Sequence, residues 1–275
     1  MSEYEVIERI DAFCDAIPRQ RATAEELGPL VLFVLNGPGW PYYARPRRGR
    51  QPATSPVITG ADVRKVRARQ RELLIPESFE WVEQAAPDMA KAASEAGLDV
   101  HEHPLMRLTT LQPPPALPPR ISVRILSPDD PDLILAWAAP GVAFGHPGTA
   151  IGSAGVTERD KVAANHDSGI IGLVRERLES GESVLAAAVG PNGPLAAGSY
   201  QLAGGVAEIT GLGVLPTSRR RGLGAAVTAL LAADAVARGA GTVFLSATDE
   251  VVARVYERLG FRRIGTAMIA DPPEA

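Results

Sequence analysis

Apolar and polar residues follow a clear periodic pattern in the last third of the chain. A run of small and β-branched residues, 206–215, predicts a strand that ends at Pro216, because proline cannot donate to a sheet ladder. After a short basic loop, apolar residues recur with the period of a helix that ends near Gly239, although Asp234 interrupts the apolar face. This stretch predicts a strand, a loop and an amphipathic helix.

Similar patterns continue on both sides of that helix. Residues 242–246 predict a buried strand, and residues 250–259 predict a second helix that stops at Gly260. The upstream part predicts five elements: strand 30–35, helix 61–74, strand 79–82, helix 88–96 and strand 101–108. Strands thus alternate with helices in both parts, which is typical of an α/β chain.

A proline-rich stretch separates the two parts, since consecutive prolines exclude both a helix interior and a central strand. We therefore expect an N-terminal α/β domain at residues 1–112, a linker at 113–120 and a second domain at 121–275. Gly141–Gly155 holds five glycines and is predicted to be either a mobile segment or a plain connection.

The two parts also align with each other without a gap. A shift of 163 residues sets Trp81 on Phe244 and Gly97 on Gly260. The upstream part is then a degenerate copy of the downstream one, or an unrelated strand–helix–strand unit with similar hydrophobic patterning.

Bulk properties exclude several classes of protein. The 275 residues are 45% hydrophobic, which suffices for folded cores, and the formal net charge of −4 does not call for nucleic acid as a partner. Cys14, the single cysteine, cannot form an internal disulfide. We see neither a signal peptide nor an apolar run of about 18 residues, so we expect a cytoplasmic protein without membrane contact. The oligomeric state is not indicated.

The basic loop, Arg219-Arg220-Arg221-Gly222-Leu223-Gly224-Ala225, is the best candidate for a binding site. Its glycines allow close approach of the main chain to a ligand, and the N-terminus of the following helix favours an anion. The dinucleotide-binding and P-loop glycine patterns are both absent from the sequence. The alternative is a solvated basic turn.

At these residues the chain resembles the Gcn5-related N-acetyltransferase (GNAT) superfamily. Arg219, Gly222 and Gly224 match its cofactor loop, Gln/Arg-x-x-Gly-x-Gly/Ala, and 256–261 matches its late Tyr-Glu-x-Leu-Gly-Phe run. The resemblance covers residues 120–270. It implies an α/β (α+β) fold with a mixed central sheet flanked by helices, and it makes the upstream part a possible degenerate GNAT-like half.

The resemblance also implies acetyl-CoA as cosubstrate and a set of residues that bind it. The expected set runs along the strand end, the loop and the next helix start: Leu212, Gly213, Val214, Arg219, Arg220, Arg221, Gly222, Leu223, Gly224, Ala225 and Asp249. A main-chain N–H near Val214 is the expected donor to the thioester oxygen. Asp249 stands where many relatives have asparagine, so its contact with the ligand is in doubt and it is also a candidate helix N-cap.

Two residues are expected to be catalytic. Glu208 resembles the general base of histone-type members, and Tyr256 the tyrosine that protonates the departing sulfur. The alternatives are an outward-facing glutamate on a strand and a core aromatic on a helix. Cys14 is remote from the motifs, so we expect direct attack by a primary amine.

The function expected from these residues is N-acetyltransferase, with a non-catalytic acyl-CoA-binding or interaction module as the alternative. His101 and His103 alternate on one face of a predicted strand without a third ligand at recognisable spacing. No metal is therefore expected. The sequence does not identify the acceptor amine.

Overall fold

The computed structural model describes residues 2–50 and 55–273. These residues form eight α-helices: α1 Glu3–Arg19, α2 Gly60–Glu72, α3 Met89–Glu95, α4 Leu133–Phe144, α5 Val156–Ala164, α6 Ser168–Glu179, α7 Leu223–Ala237 and α8 Glu250–Arg258. They also form eleven strands: β1 Ala22–Leu27, β2 Leu30–Leu35, β3 Ala44–Pro46, β4 Phe79–Val82, β5 Asp99–Leu108, β6 Ser122–Ile125, β7 Ser183–Gly190, β8 Gly193–Ala203, β9 Val206–Val214, β10 Thr242–Ser246 and β11 Phe261–Asp271.

The chain divides into two compact units. Unit 1 comprises Met1–Leu105 and Arg263–Ala275, and unit 2 comprises Met106–Arg262. These limits differ from the domains expected from the sequence. The C-terminal residues fall in unit 1 because the second half of β11 pairs antiparallel with β4, and the proline-rich segment 113–120 falls in unit 2.

Unit 1 is built on a sheet with the order β1-β2-β3-β4-β11-β5. Its strands are antiparallel from β1 to β3, and β3 then pairs in parallel with β4 only at Ala44 and Phe79. Helices α2 and α3 cover this sheet with Val63, Val66 and Met89. The strands predicted at 30–35 and 79–82 are confirmed, and the predicted helices agree with α2 and α3 to within two residues.

Unit 2 is built on the strands β6 to β10, which are neighbours in chain order, and on the last residues of β5, 106–108. Pairing is antiparallel from β6 to β9 and parallel between β9 and β10. Helices α7 and α8 pack on one face through residues such as Val227, Leu231 and Leu259. Leu133 and Ala136 of α4 cover part of the opposite face.

Two features of unit 2 correct or explain the sequence pattern. The glycine-rich stretch is not one connection, because α4 extends to Phe144 and includes Gly141. Asp234, which interrupts the apolar face of α7, accepts a 2.5 Å hydrogen bond from the hydroxyl of the buried Tyr200 and pairs with Arg238. That bond satisfies a phenol that would otherwise be buried without a partner.

The repeat suggested by the sequence is present in the element order. The first residues of α2 and β4, Gly60 and Phe79, precede the first residues of α7 and β10, Leu223 and Thr242, by 163 positions in each case. The same shift places α3 within α8 and the start of β5 within β11. The chain therefore contains the strand–helix–strand–helix–strand series twice.

None of the described helices is long and apolar enough to cross a membrane.

Candidate active site

The start of α7 has main-chain N–H groups that the described residues leave uncapped. Gly222, with a φ of 77°, is the N-cap and provides no side-chain cap, and the first turn carries no acidic residue. Within the described residues, the main-chain N–H groups from Arg220 to Ala225 donate no hydrogen bond. Unpaired N–H groups and the helix dipole together concentrate positive charge at this point. A bound anion would satisfy both.

The equivalent helix start in unit 1 is closed. Thr59, the N-cap of α2, accepts from the N–H of Asp62, and the Asp62 carboxylate in turn accepts from the Thr59 N–H at 2.9 Å. This capping box consumes the donors and places a negative charge where an anion would bind. The 163-residue shift sets Thr59 on Gly222 and Asp62 on Ala225. Unit 1 therefore lacks the uncapped helix start that unit 2 has.

The three arginines of the loop differ in their hydrogen bonds. The Arg219 guanidinium donates to the main-chain carbonyls of Ala143, His146, Ala150 and Val214, the shortest bond being 2.6 Å to His146. Burial lowers the pKa of Arg219. These bonds fasten the segment after α4 to the end of β9, so the side chain of Arg219 is committed to the protein itself.

Arg220 and Arg221 are exposed. Arg220 has a φ of 59° and reaches only the Thr149 carbonyl, at 3.4 Å. Arg221 makes no hydrogen bond among the described residues. Both are therefore more available to an anion than Arg219.

The strands β9 and β10 separate beside this loop. Their parallel pairing is confined to residues 206–208 of β9, so Glu208 opposite Phe244 is the last pair. Beyond it, β9 bulges against β8, where Gly198 stands opposite the Gly211–Leu212 step. The main-chain groups of 209–214 that point toward β10 consequently lack a partner strand. Leu212, Gly213 and Val214 lie in this separated segment.

Packing of α4 explains one glycine of that segment. A Cβ added to Gly213 would lie 2.5 Å from the Cα of Pro140 and 3.0 Å from the Cβ of Ala143. Glycine is thus required at this position by the close approach of α4, independently of any ligand.

Tyr256 lies on α8 with 7% of its surface exposed. Its ring centroid is 6.0 Å from that of Phe261, and burial raises the pKa of its phenol to about 12. Its hydroxyl makes no hydrogen bond among the described residues and is not one of the fully enclosed polar atoms. Buried tyrosine hydroxyls normally have a hydrogen-bond partner, and this one has none among the described residues. Because its pKa is raised, the phenol is protonated at neutral pH and has a proton to donate.

Glu208 lies on the sheet face opposite to Tyr256. Its strand neighbours Ala207 and Ile209 belong to the core that includes Tyr256, and side chains alternate along a strand. Glu208 is half-buried at the point where β9 leaves β10. A ligand in the gap between the strands would be flanked by both residues.

Asp249 is the N-cap of α8, as the sequence suggested. Its Oδ1 accepts from the N–H of Val252 at 2.8 Å. The carboxylate is therefore committed to the helix start.

The segment 109–115, which leads into the proline-rich stretch, borders the candidate site, and the sequence did not indicate this. Thr109 and Gln112 donate main-chain hydrogen bonds to the carbonyls of Gly260 and Leu259, at 3.0 and 2.9 Å. A Cβ on Gly222 would lie 2.9 Å from Cγ of Pro115. The segment thus contacts the end of the Tyr256 helix and the start of α7. Such contacts join residues more than 100 positions apart, so no local pattern reveals them.

A metal centre has no support in the described part of the chain, where no group of three or more His, Cys, Asp or Glu side chains could hold an ion.

Solved structures similar to this chain include GCN5-related N-acetyltransferases. One from Kribbella flavida is 22% identical, with a TM-score of 0.66 over 98% of this chain and 96% of its own. Another, from Sphaerobacter thermophilus, is 19% identical, with a TM-score of 0.54 over 90% of this chain and 81% of its own. A tandem GNAT protein from the clavulanic acid biosynthesis pathway is 15% identical, with a TM-score of 0.53 over 90% of this chain and 79% of its own.

A family model described as FR47-like protein matches residues 189–269, the range that contains β9, the basic loop, α7, β10 and α8. No curated protein matches the chain. The chain therefore has the GNAT fold, and both the resemblance and the predicted mixed sheet flanked by helices are confirmed. The expected roles of the individual site residues stay predictions.

Replacing Gly222 with alanine tests the strain at the helix start. Gly239, just after the C-terminal end of α7, has a φ of 91° and no atom near its Cβ position, so Gly239→Ala is a matched control. Both changes carry the left-handed penalty of about 1–2 kcal/mol, and Gly222→Ala adds about 1–3 kcal/mol for contact with Pro115. Chemical denaturation should show the larger loss for Gly222→Ala; equal losses would contradict the contact.

Replacing Arg219 with methionine should release the segment after α4, because four main-chain carbonyls lose their donor. Hydrogen exchange of the amides between residues 143 and 152 is expected to accelerate about tenfold or more, the equivalent of one or two net hydrogen bonds. Arg221→Met removes the same charge without removing a bond and should leave exchange unchanged. Equal exchange in the two variants would contradict the anchoring.

Proposed function

We propose that this protein is an acyl-CoA-dependent N-acyltransferase that transfers acetyl from acetyl-CoA to a primary amine by direct attack in a ternary complex. One observation carries the proposal: the open start of α7, with six consecutive unpaired N–H groups, adjoins the separation of β9 from β10. A diphosphate fits the first feature, and an extended amide-containing arm fits the second. The GNAT fold supports this combination.

Three groups of the chain have a role in the proposed reaction. Acetyl-CoA, when bound, supplies the acetyl group as a thioester. Glu208 takes a proton from the amine, directly or through water, and the Val214 main-chain N–H polarises the thioester carbonyl. Tyr256 donates its proton to the departing sulfur, because burial keeps the phenol in its protonated form.

The helix caps suggest a direct test of the cofactor site. Ala225→Asp would give α7 the acidic residue that Asp62 provides in α2, and Ala225→Asn is the uncharged control of the same size. We expect Ala225→Asp to weaken CoA binding at least about tenfold, because its carboxylate competes for the N–H groups and repels the diphosphate. Calorimetry with CoA, and with inorganic triphosphate as an anion control, measures this. Unchanged CoA affinity would contradict the proposed site.

Tyr256→Phe separates catalysis from binding. The ring and its packing remain, so affinity for acetyl-CoA should be unchanged, while kcat should fall about 100-fold for loss of a general acid. Glu208→Gln should lower kcat, because the amide cannot accept the proton of the amine. If both variants release CoA at the wild-type rate, Tyr256 and Glu208 do not have the proposed roles. If the wild type releases no CoA with any amine while binding persists, the non-catalytic acyl-CoA-binding module is the correct function.

A further inference from the structure

Arg107, near the end of β5 in unit 2, is a half-buried arginine that lacks a partner. The other arginines of unit 2 that are not exposed all donate hydrogen bonds: Arg124, Arg159, Arg177 and Arg219. Within the described residues Arg107 makes no hydrogen bond or ion pair, and its Nε is fully enclosed. The two terminal Nη groups of Arg107 are not enclosed, so they are the atoms that an acceptor from outside the chain can reach.

The side chain of Arg107 shares a sheet face with Glu208. Its neighbours Met106 and Leu108 pack into the core beneath α7 and α8, together with the residues that flank Glu208 and Phe244, namely Ala207, Ile209, Val243 and Leu245. Because side chains alternate along each strand, Arg107, Phe244 and Glu208 all lie on the other face.

Three consecutive strands carry these side chains. β10 lies between β5 and β9, and Phe244 stands directly opposite Glu208 in the parallel register. Adjacent strands are about 4.8 Å apart, so Arg107 and Glu208 belong to strands about 10 Å apart. Thr242 shares the face of Phe244 on β10, and its enclosed Oγ1 also lacks a partner. Two unpaired polar groups therefore lie on the face that carries the candidate base.

We propose that Arg107 binds an oxyanionic group of the acceptor, so that the amine acetylated here also carries a carboxylate or a phosphate. This inference rests on the proposed function, in which Glu208 receives the proton of the amine. The planar guanidinium fork of Arg107 matches the geometry of an oxyanion. The acceptor is then a zwitterion, with its amino group beside Glu208 and its carboxylate or phosphate beside Arg107.

Binding of matched pairs to the wild-type protein tests the proposal without any turnover. The protein saturated with CoA is titrated calorimetrically with ω-amino acids of two to six carbons and with their amides, and with O-phosphoethanolamine and ethanolamine. The first series detects a carboxylate and the second a phosphate. In at least one pair the anionic member should bind about 10- to 100-fold tighter, as expected for charge-assisted hydrogen bonds. Discrimination below about threefold in every pair, including no binding at all, overturns the proposal.

Variants test whether Arg107 causes the difference in affinity between the anionic and the neutral member of a pair. Arg107→Gln should bring the affinity ratio close to one with CoA affinity unchanged, and Arg107→Lys, which keeps the charge, should retain part of it. Arg175 is exposed and makes no bond among the described residues, so Arg175→Gln should keep the wild-type ratio. A ratio retained in Arg107→Gln overturns the assignment.

Thiol release separates the two proposals. If the wild type discriminates in binding but releases no CoA thiol with any amine, the acyl-transfer function fails and anion recognition by Arg107 stands. If acid and amide are acetylated with equal kcat/KM, the role of Arg107 fails and acyl transfer stands.

Discussion

The separation of β9 from β10 after the Glu208–Phe244 pair is the constraint on which unit 2 depends. Two parallel strands that part inside a sheet leave main-chain donors and acceptors without partners, and such groups are costly when water cannot reach them. The same divergence leaves a gap in the sheet that borders both of its faces. Tyr256 on one face and Glu208 on the other can thus both flank the gap, although each is held by a different layer of the unit.

The two equivalent helix starts differ in capping, so only one of them leaves donors for a ligand. Both helices start at equivalent positions, but α2 has an internal cap and α7 does not. The difference lies at two positions. α2 has Thr59 and Asp62 where α7 has Gly222 and Ala225. A self-capped helix is more stable by about 1 kcal/mol, whereas an uncapped one keeps its donors for a ligand. The capping residues therefore favour stability at α2 and leave the N–H groups of α7 available.

Local patterns predicted the elements well where one periodicity was uniform. The strands at 30–35, 79–82 and 242–246 and the helix start at 250 agree with the structure. The region 121–200 gave no such signal. In α4 an almost entirely apolar run contains Pro140, and the apolar run of β7 does not alternate with polar residues. Periodicity fails there because both elements are covered on more than one side.

The site was predictable only as far as it is local. The basic loop, the glycine turn and the Asp249 cap all involve residues within three or four positions of each other. The commitment of Arg219 to carbonyls 69–76 residues upstream, and the pairing of β11 with β4, depend on the assembled fold. No spacing rule in a single sequence reports such contacts.

The place of β11 has a consequence for synthesis. β4 ends at Val82, yet its antiparallel neighbour β11 begins only at Phe261. During translation, β4 has an unpaired edge until about 180 further residues have emerged, which takes on the order of 10–40 s at about 5–20 residues per second. Unpaired strand edges promote aggregation, so the nascent chain is exposed to that hazard until β11 is made.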